Sequence, residues 1–157
     1  MDPTNTTPAN GTMAIAPVRS GEVLLGKYRI GRVLGVGGMG IVVAATHLEL
    51  DEAVAIKFLH PDIAQHPDAV GRFLREARAA VKIKSEHVGR VIDVGKLEGA
   101  GAPFIIMELL DGRNLAEIVE KEGPLALEPA VECILHACEA IAHAHALGIG
   151  DADVNTG

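Results

Sequence analysis

Cysteine is scarce in this chain. Cys133 and Cys138 are the two in 157 residues, which excludes a disulfide framework and fits a reducing cytosol. Basic charge is also short: 14 Lys and Arg face 21 Asp and Glu, for a formal net charge of −7. The basic stripe of a nucleic-acid module is therefore not expected. No run reaches the roughly 18–20 uncharged apolar residues of a membrane span. The longest helical candidate, 125–149, is broken by Glu128, Glu132, Glu139 and three histidines. Met13–Val18 is too short for the apolar stretch of a secretory signal and has no basic flank. Tryptophan is missing, tyrosine occurs once and phenylalanine three times, so the 48% hydrophobic content is almost wholly aliphatic. That fraction beside 22% charged residues excludes a fully disordered chain, and the length suits one domain with a real core. The expectation is an acidic cytoplasmic protein with neither a membrane nor a nucleic-acid partner.

Residues 1–25 read as a disordered leader, because the stretch to Arg19 is rich in Thr, Asn, Pro and Ala and has no period. Order is expected from Gly26. Tyr28–Leu34, Ile41–Ala45 and Val54–Phe58 read as strands, with the glycine cluster Gly35, Gly37, Gly38 and Gly40 between the first two. The period then changes. Val70, Phe73, Leu74, Ala77 and Val81 recur at helical spacing, with Pro67 tolerable in the first turn. Two more strands follow at Val91–Val94 and Phe104–Leu109, then helices at Asn114–Glu122 and at about Glu128–Ala146. Strands first and helices last predict an α+β domain.

Gly35-Val36-Gly37-Gly38-Met39-Gly40 has the spacing G-x-G-x-x-G. In a dinucleotide-binding loop the last glycine opens a helix whose N-terminus holds phosphate. Here Ile41-Val42-Val43 follows, which is strand material, so the segment reads as a hairpin. No Gly-Lys-Ser/Thr ends the run, which removes a P-loop. A plain glycine-rich hairpin stays open as an alternative. Val54-Ala55-Ile56-Lys57 sets a lysine in an apolar strand, where an unpaired ammonium is costly. It either reaches solvent or meets an anion. Glu76, on the amphipathic helix, can supply a carboxylate or can pair locally with Arg72 one turn earlier.

The glycine segment extended to Val42, the Val54–Lys57 strand and Glu76 together resemble the first half of a eukaryotic-like bacterial Ser/Thr protein kinase. Phe104–Gly112 resembles the strand and hinge that join the two kinase lobes. The resemblance implies an N-lobe at 26–107 with a five-stranded antiparallel sheet and one helix, and a hinge with the first helices of the second lobe at 108–149. It implies ATP as ligand. Gly35 to Gly40 would cover the phosphates, Lys57 would bind the α/β-phosphates, and Glu76 would hold Lys57. Val42 and Ala55 would roof the adenine, Met107 would gate the back pocket, and backbone groups of Glu108 and Leu110 would bond the adenine edge. Mg would enter through the nucleotide phosphates.

Residues 150–157, Gly-Asp-Ala-Asp-Val-Asn-Thr-Gly, depart from the family's His-Arg-Asp-Leu-Lys-Pro-x-Asn. Asp153 falls at the catalytic aspartate, but Asp151 and Ala152 stand where His and Arg belong. The asparagine that binds metal and the D-F-G segment are not reached within the 157 residues. The expectation is an ATP-binding part unable to transfer phosphate as given; the alternatives are a non-catalytic interaction or decoy module, or a truncated gene product. In the family the helix at 128–147 packs into the second lobe. Val131, Ile134, Leu135, Ile141 and Leu147 on it would otherwise need another kinase lobe or a second copy. At about 1.5–3 kcal/mol for each buried large apolar side chain, that cover is worth up to roughly 8–15 kcal/mol. Cys133 and Cys138 lie about 140° apart on a continuous helix and do not converge, so no metal is expected there.

Overall fold

The computed structural model describes residues 17–99 and 101–149. Its first part is an antiparallel sheet of six strands in the order β1-β2-β3-β4-β6-β5. The strands are β1 (Val23–Leu24), β2 (Tyr28–Val36), β3 (Gly40–His47), β4 (Glu52–Leu59), β5 (Val91–Lys96) and β6 (Pro103–Glu108). Two helices, α1 (Pro61–Ala64) and α2 (Pro67–Lys82), connect β4 to β5, and α3 (Leu115–Glu122) and α4 (Leu127–Ala146) follow the sheet.

Each boundary has a local cause. Pro67 occupies the first turn of α2, where its missing N–H is no loss, with Asp68 at the start and Lys82 at the end to complement the helix dipole. Asn114 caps α3, its side-chain oxygen accepting from the Glu117 N–H at 2.8 Å. Gly148, at φ +73°, ends α4, and the N–H of Ile149 bonds back to the Ala144 carbonyl at 3.0 Å.

The sheet differs from the expected one by its first strand. Val23 and Leu24 pair with Arg29 and Tyr28, and the N–H groups of Gly21 and Ile30 bond the carbonyls of Ile30 and Glu22 at 2.8 Å. Structure therefore begins ahead of Gly26, and the part of the expected leader from residue 17 onward belongs to the sheet lobe. Val18 and Leu24 are buried in the same core as Tyr28 and Ile30. A two-residue strand carries no period, which hides it from a sequence pattern.

Alternation divides the sheet into two faces. Val54, Ile56 and Phe58 of β4 meet Ile41, Val43 and Ala45 of β3 and Phe104 and Ile106 of β6 in the main core. The opposite face carries Ala53, Ala55, Lys57 and Leu59 of β4, opposite Thr46, Ala44, Val42 and Gly40 of β3. There α2 packs Phe73 and Ala77 against Leu59 and Ile105. Register irregularities interrupt the β2–β3 ladder between Ile30 and Gly35, just before the glycine hairpin.

Candidate functional site

A cleft of about 720 Å³ opens on the α2 face, below the glycine hairpin and beside the end of β6. Val42 and Ala55 form its apolar wall, Met107, Glu108, Leu109 and Leu110 its inner edge, and Asp111 to Asn114 with Glu117 its outer lip. Register builds this wall: Ala55 pairs with Ala44 on one side and Met107 on the other. Small side chains there leave the space that larger ones would fill.

Lys57 sits one pleat step from Ala55 on the same face, opposite Val42 and Ile105. It is partly buried. Met107 touches both the cleft and the α2 core, so it stands between the two. The N–H of Glu108 bonds the Arg90 carbonyl at 2.9 Å, and its carboxylate accepts from the Arg90 N–H at 3.0 Å. That reciprocal pair fixes the strand end and occupies the Glu108 N–H. Leu110 follows outside the sheet, and among the described residues its N–H has no backbone acceptor.

The glycine segment is a hairpin, as its strand-like sequel predicts: β2 and β3 pair antiparallel, Gly35 with Val42 and Val36 with Ile41. Gly37, Gly38 and Met39 form the tip, closed by the Gly37 N–H on the Gly40 carbonyl at 2.9 Å. Gly40 is required by close approach, since a Cβ there would fall 1.9 Å from the Phe58 carbonyl oxygen. Gly35 to Gly40 and Lys57 do not line the apolar cleft itself.

One expected contact is not formed. The ion pairs among the described residues are His87–Glu139 and Arg113–Glu122, and neither Lys57–Glu76 nor Arg72–Glu76 is among them. Glu76 Oε1 is instead buried with no hydrogen-bond partner. The physical reason lies in the seating of α2, which packs on β5 and β6 and on Leu59 at the end of β4, past the position of Lys57. A cation reaching Glu76 would supply the partner that this oxygen lacks.

Leu34, Arg32, Ala53 and Gly89 line the cleft without having been singled out in the sequence. Leu34 had a usable signal: it is the apolar residue before the glycine cluster, and a hairpin brings it beside Val42. Asp153 lies outside the described residues.

The model of the protein kinase domain family matches residues 28–156, and the chain belongs to that family. It is similar to serine/threonine-protein kinase PknB of Mycolicibacterium smegmatis, 39% identical over 130 residues that make up 82% of this chain and 21% of that protein. It is also similar to probable serine/threonine-protein kinase CE0033 of Corynebacterium efficiens, 36% identical over 134 residues, 84% of this chain and 20% of that one. The chain thus spans about a fifth of the length of these relatives. The crystal structure of the Mycobacterium tuberculosis PknI kinase domain superposes with a TM-score of 0.71 at 27% identity, covering 85% of this chain and 54% of that one. The fold is therefore that of a bacterial eukaryotic-like Ser/Thr kinase: the sheet lobe, the hinge and helices of the second lobe. Among the described residues no helix is long and apolar enough to cross a membrane.

Proposed function

We propose that this part of the chain binds ATP in the cleft at the end of β6. The observation that carries the reading is one sheet face bearing an apolar wall (Val42, Ala55, Met107) with Lys57 one pleat step beyond it. A planar base suits such a wall, and the Glu108 carbonyl and the Leu110 N–H can orient its polar edge. The ammonium of Lys57 meets the α/β-phosphates under the hairpin Gly35, Val36, Gly37, Gly38, Met39 and Gly40, and Glu76 is available to hold that ammonium in place. Met107 limits how far a ligand reaches toward α2. Mg is held through the nucleotide phosphates. The reading suits the cytoplasm, where ATP and free thiols coexist.

Residues 1–157 by themselves are proposed to bind nucleotide without transferring its phosphate. Transfer needs metal ligands and a positioned base, and Asp153 is preceded by Asp151 and Ala152 rather than His and Arg. Calorimetric titration with Mg-ATP tests both parts. Binding should weaken by about tenfold or more in Lys57→Met with an unchanged urea midpoint, since a charge-assisted phosphate contact is worth about 1.5–3 kcal/mol. No detectable binding by the folded wild-type chain overturns the reading. Label transfer from γ-labelled ATP to the chain overturns the second part alone.

A second reading is a non-catalytic interaction module. Its support is the apolar stripe of α4, with Ile134 63% and Leu135 56% exposed, which suits another kinase lobe or a second copy of the chain. Sedimentation of wild type against Ile134→Glu/Leu135→Glu tests it; identical monomers that ignore kinase lobes would count against it.

A further inference from the structure

We infer that His60 is a positioning residue for the glycine hairpin, taking up its carbonyls so that N–H groups at the tip stay available to an anion. This deepens the nucleotide reading and its ligand arm rests on it. Three bonds carry the inference. The His60 Nε2 lies 2.8 Å from the Gly37 carbonyl oxygen across 23 residues of sequence. The His60 N–H donates to the Met39 carbonyl at 3.1 Å, and the Gly37 N–H donates to the Gly40 carbonyl at 2.9 Å. The carbonyls of Gly37, Met39 and Gly40 are therefore all engaged. The N–H groups of Gly38 and Met39 have no backbone acceptor among the described residues.

The histidine is itself held. Pro61 follows it and restricts it to extended backbone, observed at φ −57° and ψ 141°. Its carbonyl accepts the first bond of α1, from the Ala64 N–H at 2.9 Å. It occupies the N-cap position, yet its side chain makes no cap bond and turns to the hairpin instead. Because the partner is a carbonyl, Nε2 carries the proton; the neutral Nε2–H tautomer and the imidazolium both donate.

A device of this kind is needed because the hairpin contains four glycines in six residues, which lose the most conformational freedom on ordering. Donors pre-arranged in the free protein avoid that cost when an anion arrives. Adenosine, which has no phosphate, gains nothing from it.

The test compares Mg-ATP and adenosine binding in wild type, His60→Phe and His60→Gln, together with amide exchange at Gly37 in the unliganded chains. His60→Phe keeps a ring without a donor; His60→Gln restores an N–H. The expected result is about threefold to tenfold weaker ATP binding in His60→Phe, matching the loss of one hydrogen bond, with adenosine within about twofold. Gly37 exchange should quicken by a similar factor, and His60→Gln should recover most of both. Equal weakening of ATP and adenosine, or Gly37 exchange in His60→Phe within about twofold of wild type, overturns the assignment. If wild type binds neither ligand, the nucleotide reading fails, and Gly37 exchange alone decides the role of His60.

Discussion

Phe58, Phe104 and Ile56 in the sheet lobe are at most 1% exposed, whereas Leu127, Ile134 and Leu135 on α4 are 81%, 63% and 56% exposed. Both regions are rich in aliphatic residues, and only one of them forms a core. In the sheet lobe, β3, β4 and β6 lie side by side and present alternate residues to a common interior, so each apolar side chain meets others from distant segments. The α4 helix has a comparable apolar stripe, and that stripe stays exposed. Its observed attachment to the sheet lobe is polar: His87 Nε2 lies 3.1 Å from Glu139, and the His87 and His136 rings stack with centroids 4.1 Å apart. Hydrophobic content is thus a demand for a partner surface and becomes stability only where topology supplies one. The match to the PknI kinase domain takes in 85% of this chain and 54% of that one.

Matched substitutions sharpen that contrast. The largest effect is expected at Phe104, whose ring lies 5.8 Å from that of Phe58. Phe104→Ala should cost about 3–5 kcal/mol in urea unfolding and abolish the sheet lobe's transition at ordinary temperature. Gly40→Ala comes next. The added methyl cannot coexist with the Phe58 carbonyl, so β3 and β4 must separate locally, at about 1–3 kcal/mol by the same measurement. A smaller effect is pH-dependent. Burial first and the Asp93 carboxylate second raise the pKa of Tyr28 above its ordinary 10.0. Above pH of about 10 the unfolded chain then holds fewer protons than the folded one, so stability falls as pH rises, and Tyr28→Phe should remove that part of the slope. Smallest of all is the helical side. Glu139→Gln should change stability by about 0.2–1 kcal/mol, and Leu135→Ala by less than about 0.5 kcal/mol. A cost at Leu135 as large as that at Phe104 would break the comparison and mean that the stripe is covered in solution.

Much of the fold is legible in the sequence, for reasons that act over short distances. The β-branched run after Gly40 makes the glycine segment a hairpin, and the change from period two to period 3.6 after His60 sets where β4 gives way to helix. Pro67, Asn114 and Gly148 mark helix ends by their own chemistry. Of the expected binding residues, Val42, Ala55, Met107, Glu108 and Leu110 do meet around one cleft. What was not legible depends on how packed elements settle. The first strand is too short for a pattern. Arg32 lines the cleft from a stretch of β2 whose register is irregular. Glu76 is on the expected helix, but the seating of α2 on β5, β6 and the end of β4 leaves it without Lys57.

The order of the elements, the hairpin and the lysine strand follow from local sequence, because alternation, turn residues and caps are settled within a few neighbouring residues. Tertiary structure alone decided which of those residues touch. The bond from His60 to Gly37, the separation of Lys57 from Glu76 and the opposite fates of Phe104 and Leu135 each turn on the approach of segments far apart in the chain. That approach is fixed by the packing of whole faces, and no local pattern encodes it.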